Sequence, residues 1–195
     1  MADMQLKKID CTRAVIICQD IELDDKARSL LVDEITPQAF LAQLLDLQLY
    51  TDAVRFLARA LPRREATWWA CVCTRHVIQQ GDSSAMSDVL ETAEKWAYEP
   101  TEEYRRAAHA AALSTRFDHP ACWAAMAAFW SEGSMAPPNV PVVPPADNLT
   151  GKAVAGAIML AAVRNNPDKA METYRTFIRQ GIDIAEGGNG RINTS

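Results

Sequence analysis

The chain has 195 residues, 49% of them apolar and 23% charged, which is enough to bury one sizeable core and is inconsistent with generic disorder. A net charge of −5 argues against a nucleic-acid protein held by a general basic surface. The longest apolar run, residues 153–163, falls well short of the roughly 20 residues that cross a bilayer, so no membrane span is expected.

The cysteines are Cys11, Cys18, Cys71, Cys73 and Cys122. An odd number without framework spacing suits reduced thiols. Lys7 and Lys8 are followed by a short apolar stretch closed by Gln19 and Asp20, less than the roughly 7–15 residues of a secretory signal. Both features predict a cytoplasmic protein.

In chain order, Ala14–Ile17 is a β-branched run that suits either a strand or a short helix capped by Asp10. Thr36-Pro37 pairs a preferred N-cap with proline at the first helical position, where its missing N–H costs nothing. Phe40, Leu41, Leu44 and Leu45 then recur at helical spacing. Thr51 is a candidate cap for the next helix, which carries Ala53, Val54, Leu57 and Leu61. Pro62 precedes a third, with Trp69, Val72, Cys73, His76 and Val77 on one face, and Gly81 marks its stop.

Ser83-Ser84 supplies a cap for Met86–Ala97. Pro100 and His119-Pro120 stand before two alanine-rich helices, Ala107–Leu113 and Ala121–Phe129, whose small side chains let axes approach closely. Val154–Val163 is apolar on all sides and is predicted at the centre of the fold. Asn166-Pro167 opens a last helix reaching about Ile182.

These signals predict an all-α fold, a compact bundle or irregular stack of about nine helices. Residues 1–132 read as the main helical domain and 133–148 as a proline-rich linker. Residues 149–185 read as a C-terminal helical hairpin packed on the main domain, and 186–195 as a flexible tail. Pro137–Pro145 holds five of the ten prolines; in polyproline geometry it would reach roughly 28 Å, far enough to cross a helical pair. The same segment also suits an aromatic groove on a partner.

Charge arrives in blocks. Residues 1–52 carry −5 and 82–103 carry −6, while 53–81 between them carry +4. All five cations of the middle block are arginine: Arg55, Arg59, Arg63, Arg64 and Arg75, around Trp68 and Trp69. One reading has this basic pair of helices packed between acidic neighbours. The other is a protein-binding patch formed by Arg55, Arg59, Arg63, Arg64, Trp68 and Trp69, because arginine and tryptophan are enriched at interface hot spots and the guanidinium fork matches carboxylates.

Reaction chemistry is sparse. Cys71 and Cys73, two apart on a helix, face opposite ways. Cys73 and His76 alone do not make a zinc site, and no metal or cofactor is expected. His119 and Cys122, near a helix start where the dipole lowers a thiol's pKa, form the best catalytic pairing on offer. The favoured expectation is a non-enzymatic helical adaptor or chaperone-like accessory protein binding another protein. The alternatives are an all-α enzyme with a His119/Cys122 or carboxylate site and a structural subunit that self-assembles through its alanine-rich helices.

The stretch from Tyr50 to Cys71, sharpest at Leu61-Pro62-Arg63-Arg64-Glu65 and Trp68-Trp69-Ala70, resembles the signature of an uncharacterised family of small all-helical bacterial proteins encoded near type VI secretion components. The resemblance implies an accessory role, with a secretion effector or spike component as partner, and brings no catalytic residues.

Overall fold

Caps and prolines start the helices. The Thr36 hydroxyl accepts from the Ala39 N–H at 3.2 Å with Pro37 at the first helical position, the Thr101 hydroxyl accepts from the Tyr104 N–H at 3.2 Å, and His119 Nδ1 accepts from the Ala121 N–H at 3.1 Å. Each satisfies an N–H that the helix itself leaves without a partner. A computed structural model describes residues 4–78 and 84–192. The helices within them are α1 (Ala14–Ile17), α2 (Asp25–Ser29), α3 (Pro37–Asp46), α4 (Tyr50–Ala60), α5 (Arg63–Val77), α6 (Ser84–Tyr98), α7 (Glu102–Leu113), α8 (Pro120–Trp130), α9 (Leu149–Arg164) and α10 (Ala170–Glu186).

The fold is all-α, with no strand among the described residues. The short α1 and α2 bring the helices to ten rather than nine. Ala14–Ile17 is a helix, and the residue flanking it is extended Arg13, not Asp10. Thr51 lies inside α4, which starts one residue earlier behind Leu49. Asn166 caps a short 3-10 turn, Pro167–Lys169, before α10 begins. Gly81 and Ser83 lie outside the described residues.

Two helices organise the core. α8 packs most extensively on α9 and also touches α5, α6 and α7; α9 touches α4, α5 and α10. Ala124, Ala125, Ala127 and Ala128 of α8 and Ala153, Ala157 and Ala161 of α9 are buried, so the axes approach without large side chains between them. The more enclosed helix is α8. α9, predicted to be apolar on all sides and central, leaves Gly156, Met159 and Leu160 half-buried and Val163 exposed. α9 is packed against four helices of the fold, α4, α5, α8 and α10.

Trp69 fixes α5 against α10. Its ring is fully buried and its Nε1 donates to the Phe177 carbonyl at 2.7 Å. A Cβ on Gly181 would stand 2.7 Å from Trp69 Cε2, so only glycine allows this approach.

The second fixed point is Arg105, whose side chain is 0% exposed. Its Nε and Nη2 grip Glu102 at 2.6 and 2.8 Å. Nη1 donates to the Phe129 carbonyl at 2.6 Å, near the end of α8, and Nη2 to the Ser134 carbonyl at 2.9 Å. Arg106 adds a bond to the Ala136 carbonyl at 2.8 Å. Gly133, at φ +69°, passes so close that a Cβ would lie 3.0 Å from the guanidinium.

These bonds change the course of the proline-rich segment. The Met135 N–H donates to the Val143 carbonyl at 2.8 Å, and the Ser134 hydroxyl accepts from the Val143 N–H at 3.0 Å. Residues 136–142 therefore fold back as a closed loop, instead of spanning roughly 28 Å in polyproline geometry. Pairing between Met135 and Val143, unavailable to a polyproline helix, is the physical reason.

The chain after α10 is also placed. The Gly190 N–H donates to Asp183 Oδ2 at 2.8 Å, and Trp68 Nε1 donates to the Asn189 carbonyl at 2.8 Å. The Arg191 guanidinium stands 5.3 Å from the Trp68 ring centre. As far as residue 192, the expected flexible tail is a strap laid on α5.

Replacing Arg105 with alanine leaves the Phe129 and Ser134 carbonyls without their charged donor, and the expected loss in a denaturant titration is about 3 kcal/mol. Glu102, held by Arg105 and then Arg106, has its pKa lowered from 4.5 to about 2. A depressed carboxylate contributes stability that is fully present above pH 4.5 and is lost as pH falls through 2. The stability gap between wild type and Glu102→Gln, followed by acid titration, should therefore shrink across that window.

Candidate functional site

The arginine block divides on contact with the structure. Arg64 closes the end of α6, donating from Nε to the Ala97 carbonyl at 2.6 Å and from Nη2 to that of Tyr98 at 2.8 Å. Arg63 does the same beyond α8, donating to the Ser131 carbonyl at 2.7 Å, and pairs with Asp147 at 2.8 Å. Arg75 is forked onto Glu94 at 2.6 and 3.1 Å. Cations at helix C-termini satisfy carbonyls the helix leaves bare and favour the negative dipole end.

The tryptophans divide too. Trp69, expected on a binding surface, is core: no partner can touch a fully buried ring. The apolar face of α5 turns it towards α10. Trp68 is half-buried under Asn189 and Arg191.

Arg55 and Arg59 remain. They stand four apart on α4 and so share a face. Arg55 Nη1 lies 3.5 Å from Asp52, and Arg59 Nη2 lies 3.8 Å from Asp20. Arg59 Nε is buried without a hydrogen-bond partner. Asp52 is itself fully buried, accepts from the Asp24 N–H at 3.0 Å through Oδ1, and leaves Oδ2 without a partner. These guanidinium groups are loosely held where their neighbours in the block are tightly bonded.

Both line an open depression of about 330 Å³ between α4 and α9. Its floor includes Gly151, Ala155 and Gly156; Lys152 and Met159 stand on the α9 side, and Asp20, Ile21 and Glu22 form the opposite lip. A second depression of about 340 Å³, reaching Asp10, Cys11 and Asp147, shares Arg59 and Gly151 with the first. Together they make one trough passing over Arg59. Lys152, Ile21 and Met159 were missed in the sequence because nothing local connects them to α4. The four-residue spacing of Arg55 and Arg59 was the available signal.

The catalytic candidates lie elsewhere and inside. His119 uses Nδ1 to cap α8. Cys122 is fully buried, with its sulfur 2.8 Å from the Thr115 hydroxyl. Cys73 contacts Gln180 Oε1 at 3.6 Å, and His76 packs edge-on to Phe177. Burial pushes the Cys71 and Cys73 thiols well above their usual range and Cys18 up to about 12. Among the described residues, no group of three or more His, Cys, Asp or Glu is placed to hold a metal ion, and no helix is long and apolar enough to cross a membrane.

With this geometry in view, the chain belongs to DUF6931, a family of unknown function whose profile matches residues 40–185. That span contains α4, α5, α8 and α9, hence both Arg55 and Arg59 and the floor of the trough. Neither the curated proteins nor the solved structures contain a match.

Thiol accessibility follows from the burial pattern. In the native protein a disulfide reagent should modify half-buried Cys11 rapidly and leave Cys18, Cys71, Cys73 and Cys122, all buried, unmodified until denaturant is added. Rapid native labelling of Cys122, read by mass spectrometry, would contradict its placement.

Proposed function

We propose that this DUF6931 protein is a non-enzymatic helical adaptor or chaperone-like accessory protein that binds another protein through the α4–α9 trough. One observation carries the reading: within the arginine block, Arg55 and Arg59 have no tight internal partner, and both face the trough. A partly buried guanidinium with spare donors is a ready recognition group, since hydrogen bonds to a charged donor are the stronger ones. The fixed helices around it supply a pre-organised surface, which lowers the ordering cost of association.

The resemblance noted in the sequence extends the proposal to a cytoplasmic accessory role in type VI secretion, with an effector or spike component as the partner. Arg63, Arg64 and Trp68 act in this scheme as supports that hold α5 in place, and Trp69 as core.

The test is capture of neighbouring gene products by the immobilised protein. Arg59→Gln alone, and Arg55→Gln/Arg59→Gln where circular dichroism shows it folded, should lose the partner. The exposed Arg59–Asp20 pair contributes no more than about 1 kcal/mol, whereas removing Arg55 also strips the buried Asp52 of its cation and lowers stability further. Glutamine is preferred to glutamate, which would stand against the buried Asp52. Arg63→Gln/Arg64→Gln should instead lower stability by freeing helix-end carbonyls. Undiminished capture by the folded Arg55/Arg59 variant would remove the trough from the account.

A further inference from the structure

The trough's chemistry narrows what fits it, on the assumption that it is the binding surface proposed above. We infer that its occupant is an acidic, partly apolar peptide segment of a partner protein, with two carboxylates spaced to meet Arg55 and Arg59, and that Asp20 holds the place of one of them in the free protein.

Three observations carry this. The α4–α9 wall of the first depression carries the cations Arg55, Arg59 and Lys152, opposite Asp20 and Glu22 on the far lip. The two arginine side chains are 36% and 33% exposed, so a partner carboxylate would meet them partly shielded from solvent, where the attraction is less screened than at an open surface. Four residues on a helix advance about 6 Å, so the complementary acids stand four apart on a helix or two apart on an extended strand.

Apolar contact comes from the same place. Ile21 and Met159 line the trough, and Gly156 opens its floor beside Trp123. The continuation over Arg59 into the second depression makes an elongated channel, which suits a chain segment better than a compact small molecule.

Asp20 explains the loose pairing at Arg59. At 3.8 Å, with its side chain half exposed, it neutralises the guanidinium without making the short bond that a forked carboxylate would make. An incoming carboxylate displaces it with little to break.

The experiment selects binders from a displayed random-peptide library on the full-length protein. Enriched sequences should carry paired acids at those spacings beside an apolar residue. A synthetic copy of the best should bind about tenfold more weakly to Arg55→Gln/Arg59→Gln and more weakly as salt rises. Asp20→Asn should strengthen binding severalfold, because it removes the competitor. The inference is overturned by enrichment of neutral or basic sequences, by no enrichment, or by acidic peptides that bind the double variant equally well; unchanged affinity for Asp20→Asn overturns the role given to Asp20. If partner capture depends on Arg55 and Arg59 while acidic peptides are not selected, the trough remains the binding surface and only its assigned occupant falls. If acidic peptides bind there and partner capture does not depend on the arginines, the adaptor reading falls.

Discussion

A guanidinium with no exposure to water must have its charge and its donors answered by protein, or it is severely destabilising. Arg105 meets that condition through one carboxylate and two backbone carbonyls. The requirement acts on the whole molecule. It fixes the far end of α8 relative to the start of α7 and sets where residue 133 must turn. Through Ser134, it also decides the path by which the chain reaches α9. Since α9 forms one wall of the trough, the candidate site is positioned by an ion pair located elsewhere in the fold.

Arginine serves two purposes in this chain, and the difference lies in how completely each group is bonded. Arg63, Arg64, Arg105 and Arg106 reach backbone carbonyls at 2.6–2.9 Å, acting as clasps between helices that share few large side chains. Alanine-rich contacts bury little apolar area per residue, so directional bonds from long side chains supplement them. Arg55 and Arg59 belong to the same sequence block as Arg63 and Arg64 but face an open trough instead of a helix end. Charge counting along the chain cannot separate the two groups; only the position of neighbouring carbonyls does.

The helical architecture was legible because proline, cap residues and apolar spacing agree at Thr36-Pro37, Pro100 and His119-Pro120, although the cap at Thr101 itself was not read. Their chemistry is local, so tertiary packing had little to overrule. The burial of Trp69 was legible in part, from its place among Val72, Cys73 and His76, but the sequence did not distinguish a core tryptophan from a half-buried neighbour one position earlier. Arg105 was missed: its pairing with Glu102 could be read as an ordinary surface pair one turn apart, and its burial depends on Phe129 and Ser134, more than twenty residues away. The far lip of the trough was missed for the same reason, since Asp20 and Ile21 reach α9 only through the fold.

The pairing of Met135 with Val143 ties the proline-rich excursion shut at its neck. What happens at the tip is thereby insulated from the helices, since the entropy of closing a loop rises only slowly with added residues. Val140 and Val142, both exposed, stand on a stretch whose length and identity can drift without disturbing α8 or α9. The fold therefore leaves this appendage free to change, while the neck that carries it stays under the control of a single buried charge.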